Sequence, residues 1–168
     1  MRTSVCALLT VVSLGGCAGY HIGDVKPQYL KEIHSLAIPT FHNKTYIPRI
    51  EVVMTNTVIK QFQQDGTFRI ANEDRADATL EATIVSISRT PARSVRGNVL
   101  ATTEFNLVVR VSYRLVARGG KVLAGPGIVS GATSFFVGTD VTTDERQALP
   151  LAAEDLAVDL VSQLSEGW

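Results

Sequence analysis

Apolar and polar residues alternate along residues 101–117, and this is the clearest pattern in the chain. A period of two over this length is typical of a strand in an antiparallel sheet with one buried face and one wet face. The apolar set of alternate positions is Phe105, Leu107, Val109, Val111, Tyr113 and Leu115. The opposite, mixed set is Asn106, Val108, Arg110, Ser112, Arg114 and Val116.

Shorter segments before and after this strand also have strand patterns. Gly119-Gly120 predicts a hairpin turn directly after it. The strand that returns from this turn is interrupted at Gly125-Pro126-Gly127, which indicates a bulge or a break. The further predicted strands lie at residues 35–39, 67–71, 78–90 and 121–137.

Two segments have the spacing of amphipathic helices. Pro48 opens the first helix, and Gly66 is expected to end it as a left-handed cap. The second helix follows Thr142 and Glu145, which have the spacing of a capping box. Pro150 either kinks this second helix or marks its true first turn.

The order of these elements predicts an α/β (α+β) fold. We expect a two-layer sandwich, in which a mostly antiparallel sheet of four to five strands carries two helices packed on one face. The predicted organisation is a signal peptide at residues 1–16, a lipidated N-terminus and linker at 17–34, and a single domain at 35–168.

The N-terminus has the pattern of a lipoprotein export signal. An apolar run at residues 5–14 follows Arg2 and is too short to span a bilayer, which needs ~20 apolar residues. Leu14-Gly15-Gly16 then precedes Cys17, as in a bacterial lipobox. We therefore expect cleavage before Cys17 and acyl groups on its side chain, with no other cofactor. The alternative is a plain signal peptide with an incidental cysteine.

Composition limits the classes of function. The chain has 168 residues with 16 basic and 16 acidic side chains, so no global basic field favours nucleic acid. Cys6 and Cys17 are the only cysteines, and Cys6 would leave with the signal peptide. The mature domain is therefore expected to fold without a disulfide.

Several short motifs follow one another along the mature chain in a fixed order. They are Gly19-Tyr20-His21 after the lipobox, Leu36 to Phe41, Asn43-Lys44-Thr45, the helix near Pro48 with Glu51 and Thr55, Ala76 to Leu80, and Ala153 to Ala157. By their order and spacing, which extend over nearly the whole mature chain, they resemble the LptE family of lipopolysaccharide-assembly lipoproteins.

The resemblance implies a non-catalytic outer-membrane lipoprotein that faces the periplasm. It would plug an LptD-type β-barrel and assist placement of lipopolysaccharide in the outer leaflet. Ala18, rather than an aspartate, follows the lipidated cysteine, and by resemblance to other lipoproteins this favours the outer membrane. The alternatives are an accessory lipoprotein of another envelope complex, such as an ABC-transporter auxiliary or a secretin pilot, and a periplasmic hydrolase.

Arginines are the strongest candidates for contact with lipopolysaccharide or an acidic partner, because guanidinium groups bind phosphates through paired hydrogen bonds. Arg110 and Arg114 share the polar face of one strand, and Phe136 is a candidate aromatic contact. An ordinary solvated sheet face explains the same charges. The full arginine set is Arg89, Arg93, Arg96, Arg110, Arg114 and Arg118.

Catalytic and metal chemistry have little support in the sequence. His21, His34 and His42 lack the spacing of metal ligands, and no thiol would remain beside them. No nucleophile–base set or phosphate-cradling glycine loop can be identified. We therefore expect a protein that is not an enzyme and holds no metal.

Overall fold

The structure is a computed structural model that describes residues 26–95, 98–138 and 140–167. Within these residues a 3₁₀ turn at Gln28–Leu30 precedes six strands and two helices. The strands are β1 (Ser35–Ala37), β2 (His42–Asn43), β3 (Arg69–Ile70), β4 (Ala78–Val95), β5 (Asn98–Ala117) and β6 (Val122–Phe136). The helices are α1 (Ile50–Asp65) and α2 (Val141–Ser165).

The sheet is mixed, with the order β3-β1-β4-β5-β6. The three long strands β4, β5 and β6 pair antiparallel, as the alternating pattern predicts. The short strands β1 and β2 both pair parallel to the same edge of β4, and β3 pairs parallel to β1. The predicted fold class is confirmed, but the sheet has six strands. The strand predicted at residues 67–71 is present as β3, whereas the two-residue strand β2 was not predicted, because it is too short to leave a periodic signal.

Both helices contribute to one hydrophobic core against the sheet. The buried stripe of α1 is Ile50, Met54, Val58 and Phe62, a spacing of one helical turn per step. Gly66 ends α1 with φ of 78°, which confirms the predicted left-handed cap. The apolar set of β5 also lies in this core, where Leu107, Val109, Val111 and Leu115 are fully buried.

Helix α2 differs from its prediction at its start. Asp140 is the N-cap, and its carboxylate accepts hydrogen bonds from the Thr142 backbone N–H at 2.9 Å and the Thr143 hydroxyl at 2.6 Å. The predicted capping box at Thr142 and Glu145 is therefore wrong, because capping begins two residues earlier. Pro150 lies inside α2 and does not begin it.

The segment before β1 belongs to the folded domain. Leu30 is fully buried and Ile33 nearly so, and both pack in the core. The Lys26 ammonium donates to the carbonyl of Ile33 at 2.9 Å and lies 4.5 Å from the centre of the Phe68 ring. The domain therefore begins before Ser35, and residues 26–34 are not a free linker.

Helix α2 approaches β6 very closely at Gly131. A Cβ atom placed on Gly131 would lie 2.1 Å from the carbonyl oxygen of Ala152 and 2.4 Å from the backbone nitrogen of Leu156. One position further on, the Ala132 backbone N–H donates to the Asp155 carboxylate at 2.8 Å. This helix–strand contact therefore requires a residue without a side chain at position 131.

Asp77 joins the ends of three strands. One oxygen of its carboxylate accepts hydrogen bonds from the backbone N–H groups of His34 and Ser35, at 3.0 and 2.9 Å, and from the Ser35 hydroxyl at 2.8 Å. The Asp77 carbonyl accepts from the backbone N–H of Arg118 at 2.9 Å. The Ser35 hydroxyl, followed by the His34 N–H, holds the pKa of Asp77 below its ordinary value of 3.8.

We expect Asp77→Ala to lower the free energy of unfolding by about 1–2 kcal/mol at pH 7, since solvent screens a partly exposed carboxylate. Because the folded pKa is depressed, this stabilisation is present above the unfolded pKa and is lost as pH falls through the folded pKa. Urea unfolding at a series of pH values should show the difference from the unmodified protein narrowing below pH 3.8. The control is Asp74→Ala, since Asp74 is exposed and forms a salt bridge with the equally exposed Arg75 at 3.6 Å. A difference that stays constant down to low pH would contradict the assignment.

Candidate functional site: the open face of the sheet

The face of β4, β5 and β6 opposite the helices is uncovered in the part of the chain that the structure describes. We call it the open face. Its β5 positions are the mixed set of the sequence pattern, and the register places a hydroxyl-bearing residue on either side of Arg110. Arg110 pairs with Ser86 on β4 and with Ser130 on β6. Ser112 pairs with Thr83 and with Ile128 in the next row.

A bulge in β4 decides which side chains reach the open face. The register shifts between Ile84 and Ser86, so Val85 is the extra residue, and the alternation of β4 reverses after it. Arg89 therefore pairs with the buried Leu107 and lies on the helix side. The sequence interpretation grouped Arg89 with the open-face arginines, and the bulge is the physical reason that the structure separates them.

Arg89 instead links the sheet to the start of α2. Its guanidinium donates to the Glu145 carboxylate at 2.6 Å and lies 5.0 Å from the centre of the Phe105 ring. Phe105 in turn stacks on Phe135 with ring centres 5.8 Å apart. These contacts give Arg89 a role in the packing of the domain.

Three arginines, two within β5 and one directly after it, have different surroundings. Arg114 donates to Glu81 across the strand pair at 2.5 Å, so its charge is balanced. The Arg118 guanidinium donates to the Ala76 carbonyl at 3.0 Å at the end of the sheet. Arg110 is exposed and has no ion pair or side-chain hydrogen bond within the described residues. Among these three, Arg110 is thus the side chain available to an anion.

The remaining predicted contacts lie at the far end of the open face or outside the described residues. Phe136 is 69 % exposed and pairs with Glu104, whereas its neighbour Phe135 is buried on the helix side. Arg93, on β4, is the strand partner of Glu104 on β5, but the side chain of Arg93 is not among those described. Arg96 and Cys17 lie outside the described residues.

An open groove of about 540 Å³ lies on this face, and Arg110 is not part of its lining. Ser112, Arg114, Glu81 and Thr83 form part of its lining, and Pro39 and Pro126 also border it. The cis Gly125-Pro126 bond lies at the irregularity in β6, where the sequence predicts a bulge or break. The groove therefore has polar side chains from β4 and β5, and the arginine that lines it, Arg114, is the one paired with Glu81.

Guanidinium and hydroxyl groups are together suited to the oxygens of a phosphate or carboxylate. Sequence reasoning found Arg110 but missed Ser86 and Ser130, because cross-strand register is not visible in a single chain. The described residues include no group of three or more metal-ligating side chains. Among them, no helix is long and apolar enough to cross a membrane.

These features define a small α+β domain with an open sheet face. A sequence model of the LptE family, described as lipopolysaccharide-assembly, matches residues 33–164. The chain belongs to this family. The resemblance drawn from the sequence motifs is thereby confirmed. Among curated proteins no match was found.

Solved structures share the fold at low sequence identity. The protein CT253 from Chlamydia trachomatis is 7% identical with a TM-score of 0.57, covering 79% of this chain and 96% of its own. A minor lipoprotein from Acinetobacter baumannii is 15% identical with a TM-score of 0.55, covering 80% and 94%. The protein XCC0632 from Xanthomonas campestris is 14% identical with a TM-score of 0.53, covering 84% and 90%. At these identities the likeness supports the fold alone.

Proposed function

We propose that this protein is a non-catalytic outer-membrane lipoprotein that binds lipopolysaccharide on its open sheet face. The observation that carries the proposal is Arg110, an exposed and unpaired guanidinium between Ser86 and Ser130. Lipid A presents phosphates, which match this set of donors. Family membership supports a role in lipopolysaccharide assembly, and the donors on the open face support binding of phosphate groups.

The proposal includes a partner and a location. Acyl groups on Cys17 hold the domain at the periplasmic side of the outer membrane. There the domain associates with, and plugs, an LptD-type β-barrel. The mechanism is positional: the lipid anchor and the barrel place the open face on the path of lipopolysaccharide toward the outer leaflet. No covalent step is involved.

Arg110→Asp should weaken binding to immobilised lipopolysaccharide by about tenfold or more, because it removes a charge-assisted contact and adds a repelling charge. Arg114→Asp should have the smaller direct effect, since Arg114 is already balanced by Glu81. Surface plasmon resonance at fixed salt measures both effects.

Arg75→Asp is the matched control, because it makes the same charge change in the exposed turn before β4. Its affinity should stay near that of the unmodified protein. Equal loss in Arg75→Asp and Arg110→Asp would show a non-specific charge effect. Unchanged affinity in both Arg110→Asp and Arg114→Asp would remove the open face as the binding surface.

The partner is tested by crosslinking in native membranes, followed by mass spectrometric identification of the captured protein. A large outer-membrane β-barrel is the expected product. Recovery of an inner-membrane transporter complex, or of a secretin, would instead favour an accessory role in another envelope machine.

A further inference from the structure

The sheet ends on two strands of very different length. One end is β3, with two residues, and the other is β6, with fifteen. A long edge strand presents a row of unpaired backbone N–H and C=O groups, which can pair with a strand of another chain. Natural proteins protect such an edge with charged side chains, proline, bulges or a covering element. The edge of β6 is therefore the place to look for such protection.

The second half of β6 has no such protection in its own sequence. Pro126 and the irregularity in pairing lie near the start of the strand. From Ile128 to Phe136 the pairing with β5 is regular. No residue of Val122–Phe136 carries a charge. Residues 128–136 are therefore a regular, uncharged edge, and we call them the β6 edge.

A hydrogen bond at Ala132 shows which backbone groups of the β6 edge point outward. The Ala132 N–H donates to the Asp155 carboxylate of α2 at 2.8 Å and so points away from β5. In an antiparallel pair, every second residue directs both its N–H and its C=O away from the neighbouring strand. The outward groups of the other such residues make no hydrogen bond within the described part of the chain. These residues are Ile128, Ser130, Ser134 and Phe136.

The β6 edge is self-complementary about Ala132, which is its midpoint. A second copy that lies antiparallel about a two-fold axis at Ala132 would bring Ile128 opposite Phe136 of that copy. Ser130 would lie opposite Ser134 of the second copy in the same way. Ile128 and Phe136 are 68 % and 69 % exposed in the single domain, and cross-strand pairs of a β-branched and an aromatic residue are favourable. Because a two-fold contact uses the same surface on both copies, a second copy of this chain fits the β6 edge.

Asp155 blocks this pairing at its centre. Its carboxylate occupies the Ala132 N–H, which the second copy would need for the central pair of hydrogen bonds. Pairing would also bring the Asp155 carboxylates of both copies close to the axis, where like charges repel. Gly131 makes this contact possible, because its lack of a side chain lets α2 approach β6 closely. The protection that β6 lacks in its own sequence thus comes from α2.

We propose that Asp155 keeps the β6 edge closed to a second copy of this chain. Without the bond from Ala132 to Asp155, two copies pair through the β6 edge and join their sheets into one. With the bond in place, the domain stays monomeric although its edge is long and uncharged. The inference requires neither lipopolysaccharide nor a barrel, so it is independent of the proposed function.

The test measures the mass of the full chain in detergent, by size-exclusion chromatography with light scattering and a correction for bound detergent. The unmodified protein should be a monomer. Asp155→Ala should dimerise, with a dissociation constant at least about tenfold lower than that of the unmodified protein. Asp155 is exposed, so this variant should remain folded, and Asp155→Ser repeats the test if it does not. Glu154→Ala is the matched control and should stay monomeric, because Glu154 is the neighbouring acid of α2 and lines a groove shared with α1.

Cysteine crosslinking tests the register. In the Asp155→Ala background, Ala132→Cys should give a disulfide-linked dimer on mild oxidation, because opposite Cα atoms in a bonded pair lie about 5.5 Å apart. Ser130→Cys should not, since the two cysteines would lie roughly 14 Å apart along the edge. The Asp155→Ala protein without an added cysteine gives the background from Cys6 and Cys17.

Restoring Asp155 should lower the yield of the Ala132→Cys dimer by at least about tenfold. A folded Asp155→Ala or Asp155→Ser protein that stays monomeric would overturn the inference. Equal dimerisation of Glu154→Ala or of the unmodified protein would do so too, because the edge would then not depend on Asp155. Stronger crosslinking at position 130 than at position 132 would overturn the two-fold pairing about Ala132.

Discussion

Gly131→Ala should lower the free energy of unfolding by about 3 kcal/mol and the thermal midpoint by about 10 °C. The added Cβ would lie 2.1 Å from the Ala152 carbonyl oxygen and 2.4 Å from the Leu156 backbone nitrogen. Both are backbone atoms inside a helix, so neither can move aside by a change of rotamer. Relief requires α2 to move away from β6, which loosens the buried stripe of that helix.

The matched control is Gly119→Ala in the turn after β5. A Cβ atom at Gly119 would meet no atom within 4 Å, and its φ is not positive. This variant should stay within about 0.5 kcal/mol of the unmodified protein. Circular dichroism melts of the three proteins make the comparison. An unchanged thermal midpoint for Gly131→Ala would mean that α2 does not lie as close to β6 as the structure indicates.

The same contact shows why part of the fold could be predicted and part could not. The period-two pattern of β5 and the helical spacing of α1 and α2 are local signals, and they identified the long elements and their buried faces. Gly131 gave no such signal, because a glycine within a strand pattern does not reveal which helix crosses it. The strand His42–Asn43 exists through pairing with β4, a distant segment of the chain, so it was equally invisible, whereas the short strand predicted at residues 67–71 is present as Arg69–Ile70.

The candidate site was also predicted only in part from the sequence. Strand alternation placed Arg110 and Arg114 on one face, and the side chains of both are exposed there. The extra residue Val85 reversed the alternation of β4 and took Arg89 to the other face. Only the fold shows that Glu81 balances Arg114 and that Arg110 is left between serines. Residue type and period predict a surface, whereas register determines which of its charges are available.

Cys17→Ser should abolish labelling of the protein by radioactive palmitate. The proposal places all acyl groups on Cys17, and serine at that position lacks the thiol that carries them. Each buried CH₂ of an acyl chain contributes about 0.8 kcal/mol to membrane binding, and stable anchoring needs more than one chain. The chain from Cys17 to Lys26 can span at most about 30 Å. Lipidation at Cys17 would therefore keep the domain, and with it the open face, next to the membrane.

Cys6→Ser is the matched control, since Cys6 is the other cysteine of the chain and lies in the predicted signal peptide. Its palmitate labelling should equal that of the unmodified protein. Membrane fractionation would be a poor readout, because an uncleaved apolar run at residues 5–14 can hold the Cys17→Ser variant at the membrane. The acyl label and the mass of the N-terminal peptide separate these two kinds of attachment. Palmitate that persists in Cys17→Ser, or that is lost in Cys6→Ser, would place the anchor elsewhere and remove the basis for positioning the open face at the outer membrane.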